Sequence, residues 1–343
     1  MATSGTYNFS VNSSIIVQEA MLNCGAIGEN EVPTAQEYID CLRKLNMIAK
    51  QWMGKMDFAP GLKMWTRKRG TVFLGASKYT YTLGPNGDNW AVGTTGLAYP
   101  NQYNQTQLAT TAVAGATQIT VNSSANINAN DYIGIQYSPS GGTLGSDLFW
   151  TLASAPVGNT VNIASPLPGN AASSAYVFNY TTKGQRPLNV VTALLRDIYA
   201  NDTPLNFMTL EDYEQLPNKT SPTNISDPTA VYYESQIGAQ PNLGGGVLYI
   251  DVAGAQDVTK VLHLVYLIPV QDFDNPGDNP EYPQQWYRPL CWGLTREICG
   301  MFDCVWTQDM DNNYRESMAC AREADSETTS FFFQVDASGP YDP

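Results

Sequence analysis

The segment from Thr34 to Gly54 constrains the chain most, because its cap, its period and its stop agree. Thr34 and Glu37 form a capping-box pair, in which the hydroxyl accepts from the Glu37 amide and the carboxylate reaches back to the Thr34 amide. Behind that cap Ala35, Tyr38, Leu42, Leu45, Ala49 and Trp52 recur at steps of three and four, which lays one apolar stripe along a helix. Gly54 stands where such helices stop. A stripe that ends in Trp needs cover, so helices from both chain ends are expected to pack on it. It reads as core, not as a cofactor pocket.

At 343 residues the chain is long enough for one large domain or two ordinary ones. Charged residues make up only 15%, and Asn, Thr, Ser, Gly and Tyr take their place, a mixture typical of β-rich surfaces and long loops. Helix at the ends with β in the middle is the first expectation. The net charge of −14 makes tight wrapping of nucleic acid unfavourable, because the surface repels phosphate. Cys24, Cys41, Cys291, Cys299, Cys304 and Cys320 all fall in predicted helices without a CxxC pair, and read as reduced core residues. The N-terminus has no basic start or apolar run, so no signal peptide is expected. The longest apolar run, residues 261–270, is too short to span a bilayer.

Along the chain, Ile16, Val17, Ala20, Met21 and Cys24 repeat as a first helical face, with Ser13 or Ser14 as cap and Gly25 as stop. This helix and the next form a helical hairpin. From Thr71 the period changes to two, and residues 71–83 are expected to form a β-hairpin. Residues 104–183 have almost no Lys, Arg or Glu and no helical period. Their β-branched runs at 118–121, 132–136, 149–152, 160–163 and 176–180 predict an all-β module inserted between Asn- and Thr-rich borders. Further on, 190–195, 231–234, 247–252 and 260–269 read as strands, and Thr209 with Asp212 opens a short helix. Helices are expected from about Gln285, with Leu290, Leu294, Ile298, Phe302 and Val305 on one face, and from near Asp309, with Met310, Tyr314, Met318 and Ala321. The fold class expected is therefore α+β: a helical core of N-terminal hairpin and C-terminal helices, with β-hairpins and an inserted all-β module. Its parts are a core of 1–103 and 184–327, a sandwich- or barrel-like module of 104–183, and an extended tail of 328–343.

Catalytic parts are scarce. The single histidine, His263, sits in a strand that is apolar on both faces and reads as a satisfied structural residue, which leaves Ser-His or Cys-His catalysis without a base. No cysteine spacing suits zinc, and no glycine-rich phosphate loop occurs, so neither metal nor cofactor is expected. Asp272, Asp274, Asp278 and Glu281 cluster, as do Asp303, Asp309 and Asp311, but carboxylates so near in sequence read as solvated loops and caps. No enzyme activity is expected. Arg67, Lys68 and Arg69 form the one dense basic cluster, a candidate for a channel or inter-subunit contact. Phe331, Phe332 and Phe333, with Val335, cannot all face one core from a strand or helix, which marks the tail as an interface.

Several stretches together resemble the head-to-tail adaptor (tail accessory, packaged-DNA-stabilising) proteins of short-tailed bacteriophages. They are AMLNCGAIGENEVPTAQEYIDCLRKLNMIAKQW, GLKMWTRKRGTVFLGASKYTYTLGP, NDTPLNFMTLEDYEQLPNK with TAVYYES, and QDFDNPGDNPEYPQQW with the helix behind it. They lie in the family's order on both flanks of the insertion, and the insertion resembles a module common in phage tail proteins. The resemblance implies a structural virion protein at the head-tail junction, assembled in the host cytoplasm as a ring of about twelve copies beneath the portal. Its implied partners are the portal protein, a tail nozzle or other tail proteins, further copies of itself, and packaged double-stranded DNA in transient contact, with no membrane. The competing reading is a phage tail protein that binds carbohydrate, through the β module and Trp150, or degrades cell wall as a glycosidase through the acidic loop.

Overall fold

The computed structural model describes residues 5–53, 64–98, 100–139, 146–235 and 246–325. The chain divides into two compact units, one of residues 1–66 and 270–343 and one of residues 67–269.

The first unit joins the two chain ends. Its helices are α1 (Ser13–Cys24), α2 (Ala35–Gln51), α4 (Tyr287–Cys299) and α5 (Gln308–Ala324); the short α3 (Leu210–Gln215) belongs to the other unit. Helix α2 starts on the capping box read from sequence, with Thr34 Oγ1 accepting from the Glu37 amide and the Glu37 carboxylate accepting from the Thr34 amide. Its buried face runs through Cys41, Leu45, Ile48, Ala49 and Trp52, while Ala35 is exposed, so the stripe is rotated slightly from the expected one. Helix α1 is capped by Asn12, not by a serine, and ends at Gly25 with φ 77°, a left-handed cap that glycine adopts freely. Ser13 is instead buried, where its hydroxyl meets the Tyr38 hydroxyl at 2.8 Å and donates to the Asn275 carbonyl at 2.7 Å. Leu290, Leu294 and Ile298 of α4 and Met318 and Ala321 of α5 complete this core, but Val305 is exposed beyond the end of α4. Four large rings close it: Trp52, Trp65, Tyr282 and Trp286, with Trp286 5.8 Å from Trp52 and 5.5 Å from Trp65. Cys304 lies in the loop between α4 and α5, outside any helix.

The second unit is built of β1 (Arg67–Phe73), β2 (Thr80–Leu83), β3 (Trp90–Ala91), β4 (Asn104–Gln107), β5 (Gln118–Thr120), β6 (Tyr132–Tyr137), β7 (Asp147–Leu152), β8 (Thr160–Asn162), β9 (Tyr176–Tyr180), β10 (Asn189–Arg196), β11 (Asp202–Pro204), β12 (Asn206–Phe207), β13 (Ala230–Glu234), β14 (Gly246–Ile250) and β15 (Val261–Leu267). They form a five-stranded sheet in the order β11-β10-β15-β1-β3, four-stranded sheets β12-β13-β14-β2 and β4-β9-β6-β7, and the pair β5-β8. The expected hairpin of residues 71–83 does not form. β1 pairs with β15 and β3, whereas β2 pairs with β14 in another sheet.

The expected α+β class on a helical core is therefore corrected: fifteen strands in four sheets, against five helices of at most 17 residues, make the described protein predominantly β. Alternation along a strand reveals which face is apolar but not which distant strand completes the ladder. Strands that looked like hairpin arms on a helical body are thus parts of sheets made across long separations. Within this unit, the residues from Leu108 to Val177 supply a core entirely of their own, centred on Ile133, Ile135, Val161 and Val177. The opposite face of the β4-β9-β6-β7 sheet contributes Phe178 and Tyr180 to a second cluster with Phe73, Ala91 and Val261. Gly134 is required where β6 faces β7, because a Cβ there would lie 2.6 Å from the Trp150 ring.

Two substitutions test this packing. Thr34→Ala removes the α2 cap and should lower stability by about 1 kcal/mol, and Gly134→Ala forces Trp150 out of place and should cost about 1–3 kcal/mol. Denaturant unfolding of each variant against wild type reads both values; a neutral Gly134→Ala would contradict the close β6–β7 approach.

Candidate functional site

The basic cluster becomes two surfaces once it is folded. Arg67, Lys68 and Arg69 open β1, where consecutive side chains point to opposite faces. Antiparallel pairing sets Arg67 opposite Leu267, Arg69 opposite Val265 and Thr71 opposite His263, so both arginines share the face that carries His263, while Lys68 shares the face of Tyr266. β10 adds to the arginine face, with Leu194 opposite His263 and Arg196 opposite Val261, and β11 brings Asp202 opposite Arg196. Arg196 grips Asp202 through two hydrogen bonds of 2.7 and 2.8 Å. That fork raises the guanidinium's pKa and lowers the carboxyl's. The result is a polar face on the five-stranded sheet, opposite the apolar one formed by Leu262, Leu264 and Tyr266. The exposed Arg67 and Arg69 suit carboxylates or phosphates.

His263 is buried, as its strand implied, but it is not satisfied. Its Nδ1 and the Oγ1 of its cross-strand neighbour Thr71 are both buried without a hydrogen-bond partner among the described residues. Burial, together with the nearby Arg196 and Arg69 and against the pull of Asp202, lowers the imidazole's pKa from 6.5 to about 4. A neutral imidazole with no aligned nucleophile is no acid-base centre.

Four of the acidic residues, Asp272, Asp278, Glu281 and Asp311, are engaged in structure. Asp278 Oδ2 accepts from the amides of Asp274 and Asn275 at 2.8 and 2.6 Å, contacts that hold its pKa down. Glu281 accepts from the Gln271 amide, Asp272 pairs with Lys50 at 2.6 Å, and Asp311 pairs with Arg315 at 2.7 Å. Among the described residues no group of three His, Cys, Asp or Glu side chains is placed to hold a metal ion.

Each unit holds a cavity among its described residues. In the β unit a cavity of about 240 Å³ is lined by Phe73, Ser77, Lys78, Asp88, Asp147 and Trp150, among others. Lys78 pairs with Asp88, whose other oxygen accepts from the Thr82 amide at 2.7 Å, and Asp147 Oδ1 accepts from the Ala76 and Leu148 amides. Trp150, 4.6 Å from the Phe73 ring, forms the aromatic wall. Sequence reading singled out Trp150, but Lys78, Asp88 and Asp147 come from distant segments that carry no motif. In the helical unit a cavity of about 480 Å³ is lined by Ile48, Trp52, Gly293, Arg296, Glu297 and Tyr314. Phe331, Phe332, Phe333 and Val335 lie outside the described residues.

The state of His263 has a measurable consequence. The unfolded imidazole accepts a proton below about pH 6.5, whereas the folded one does so only near 4, so protons favour unfolding across that window. Stability should fall by up to about 3 kcal/mol as pH drops from 6.5 to 4, with no contribution above it. Melting curves of wild type and His263→Leu across pH 4 to 7 give this part as the difference between their pH profiles. Parallel pH profiles would show that the imidazole is not held neutral.

No protein-family model matches the chain, and no curated protein matches it. Among solved structures, the Gp54 tailspike of Acinetobacter baumannii bacteriophage AP22, determined in complex with A. baumannii capsular saccharide, is similar to 25% of this chain at 16% identity and a TM-score of 0.23. The likeness spans 16% of that tailspike's own length, and at this TM-score it carries no argument about fold or function.

Proposed function

We propose that this chain is a structural protein of a bacteriophage tail and, more finely, that it forms a ring of identical copies beneath the portal at the head-to-tail junction. One observation carries the reading. Three of the separate stretches that resemble the adaptor family meet in a single aromatic cluster: Trp52 from the N-terminal hairpin, Trp65 from GLKMWTRKRG, and Tyr282 and Trp286 from EYPQQW, with ring centroids 5.5–6.3 Å apart for the Trp52 and Trp65 contacts. These segments lie far apart in sequence and share one core, which supports reading them as parts of one unit. The acidic surface suits a channel wall that lets DNA slide, and Arg67 and Arg69 suit a carboxylate on a neighbouring copy. In this reading Phe331, Phe332, Phe333 and Val335 anchor the chain to the portal or to the next subunit, since buried aromatics dominate interface energetics.

Truncation after Ser326 tests the anchor. The shortened protein retains all of α5 and should melt at the wild-type temperature yet fail to co-sediment with the purified portal. Normal portal binding by the truncated protein would overturn the anchor.

A second reading, a carbohydrate-binding tail protein, is favoured by the cavity walled by Trp150, whose ring lies beside Asp147, Ser77 and Lys78. Aromatic faces flanked by polar groups suit sugar rings, with the ring burying the apolar face of the sugar and the polar groups meeting its hydroxyls. Titration of bacterial surface saccharides should then quench tryptophan fluorescence in wild type and not in Trp150→Ala. An unchanged signal in wild type would remove this reading.

A further inference from the structure

Lys78, Asp88 and Asp147 reach the cavity of the β unit from three stretches of chain: the loop between β1 and β2, the loop between β2 and β3, and the first position of β7. Their contacts divide the charge unevenly. The Lys78 ammonium is taken up by Asp88 Oδ1 and lies 5.5 Å from the centre of the Tyr81 ring, while Asp88 Oδ2 accepts from the Thr82 amide at 2.7 Å. Asp147 Oδ1 accepts from the Ala76 amide at 3.2 Å and from the Leu148 amide at 2.8 Å. Asp147 Oδ2 has no hydrogen-bond or ion-pair partner among the described residues.

One lysine against two carboxylates leaves the cavity with a single negative charge, and that charge rests on Asp147. The rest of the lining decides how much it matters. Phe73 and Leu148 are buried, and the Trp150 ring, 4.6 Å from that of Phe73, is packed over Gly134. Where rings and aliphatic groups displace water, charge interactions strengthen. An anionic guest would meet two carboxylates. A neutral guest can offer Asp147 a hydroxyl, whereas an ammonium offers a charge-assisted hydrogen bond, about twice as strong as a neutral one, and gains further from the aromatic ring beside it. The volume of about 240 Å³ lies below the roughly 300–1,000 Å³ of pockets for drug-sized ligands, so the guest is a single ring and not a chain.

We propose that this cavity binds a sugar that carries a protonated amine, with Asp147 Oδ2 accepting from the ammonium and Trp150 covering the sugar ring. The inference rests on the carbohydrate-binding reading and adds the class of sugar. Lys78 sets the limit of the site: by holding Asp88 it leaves one carboxylate, not two, to meet the guest.

The test is a ligand-observed NMR titration of the full chain with glucosamine, N-acetylglucosamine and glucose, which place an ammonium, an amide and a hydroxyl at one ring position. Wild type should bind glucosamine about tenfold more tightly than the other two, and the preference should shrink as salt is raised. Asp147→Asn keeps an oxygen that can accept from the Ala76 and Leu148 amides, and should bind the three sugars alike. Lys78→Gln strips Asp88 of its cation and should widen the preference. If a variant does not fold, the salt dependence of the wild-type preference decides. Equal binding of all three sugars by wild type would overturn the amine specificity and leave the carbohydrate-binding reading standing, whereas binding of none would overturn both. A glucosamine preference that survives Asp147→Asn would overturn the role of Asp147.

Discussion

The β unit depends on strand β15 finding partners on both of its sides. Its seven residues are apolar on both faces, so the strand has to be central, and its backbone donors and acceptors need ladders left and right once they leave water. β10 supplies one ladder and β1 the other, and β1 comes from the opposite end of the unit. Everything between these strands must therefore begin and end near one sheet. This is why the residues from Leu108 to Val177 can have a core of their own, and why β2 leaves its sequence neighbour β1 to pair with β14.

The same pairing creates the polar face. A strand with period two cannot keep Arg67, Lys68 and Arg69 together, so a cluster that is compact in sequence is divided between the two sides of the sheet. What gathers instead is a set from four strands: Arg67, Arg69 and Thr71, His263, Arg196 and Asp202. Arg196 and Asp202 satisfy one another, whereas His263 is left neutral and lacks a partner at Nδ1. A buried, unsatisfied imidazole costs stability, and the rigid ladders on either side hold it in place.

Local signals were legible in the sequence, and distant ones were not. The α2 capping box, the Gly25 stop, the buried face of α4 through Ile298 and the bounds of β9 could all be read, because each is decided within a few residues. The Asn12 cap was missed because Ser13 and Ser14 are equally good cap residues, and only the tertiary contacts of Ser13 with Tyr38 and Asn275 decide between them. The fold class was misread for a similar reason. Short Thr- and Asn-rich strands carry weak patterns, and sheet membership depends on partners elsewhere in the chain. Of the candidate sites, Trp150 and the arginines were visible, but Lys78, Asp88 and Asp147 converge only through the fold.

The proposed function rests on the aromatic cluster of Trp52, Trp65, Tyr282 and Trp286, which joins segments from the two ends of the chain in one helical unit. Electron microscopy of the purified chain mixed with its portal tests this account most directly. The account predicts a closed ring of copies coaxial with the portal channel; single copies scattered over the portal, or no association with it, would contradict it.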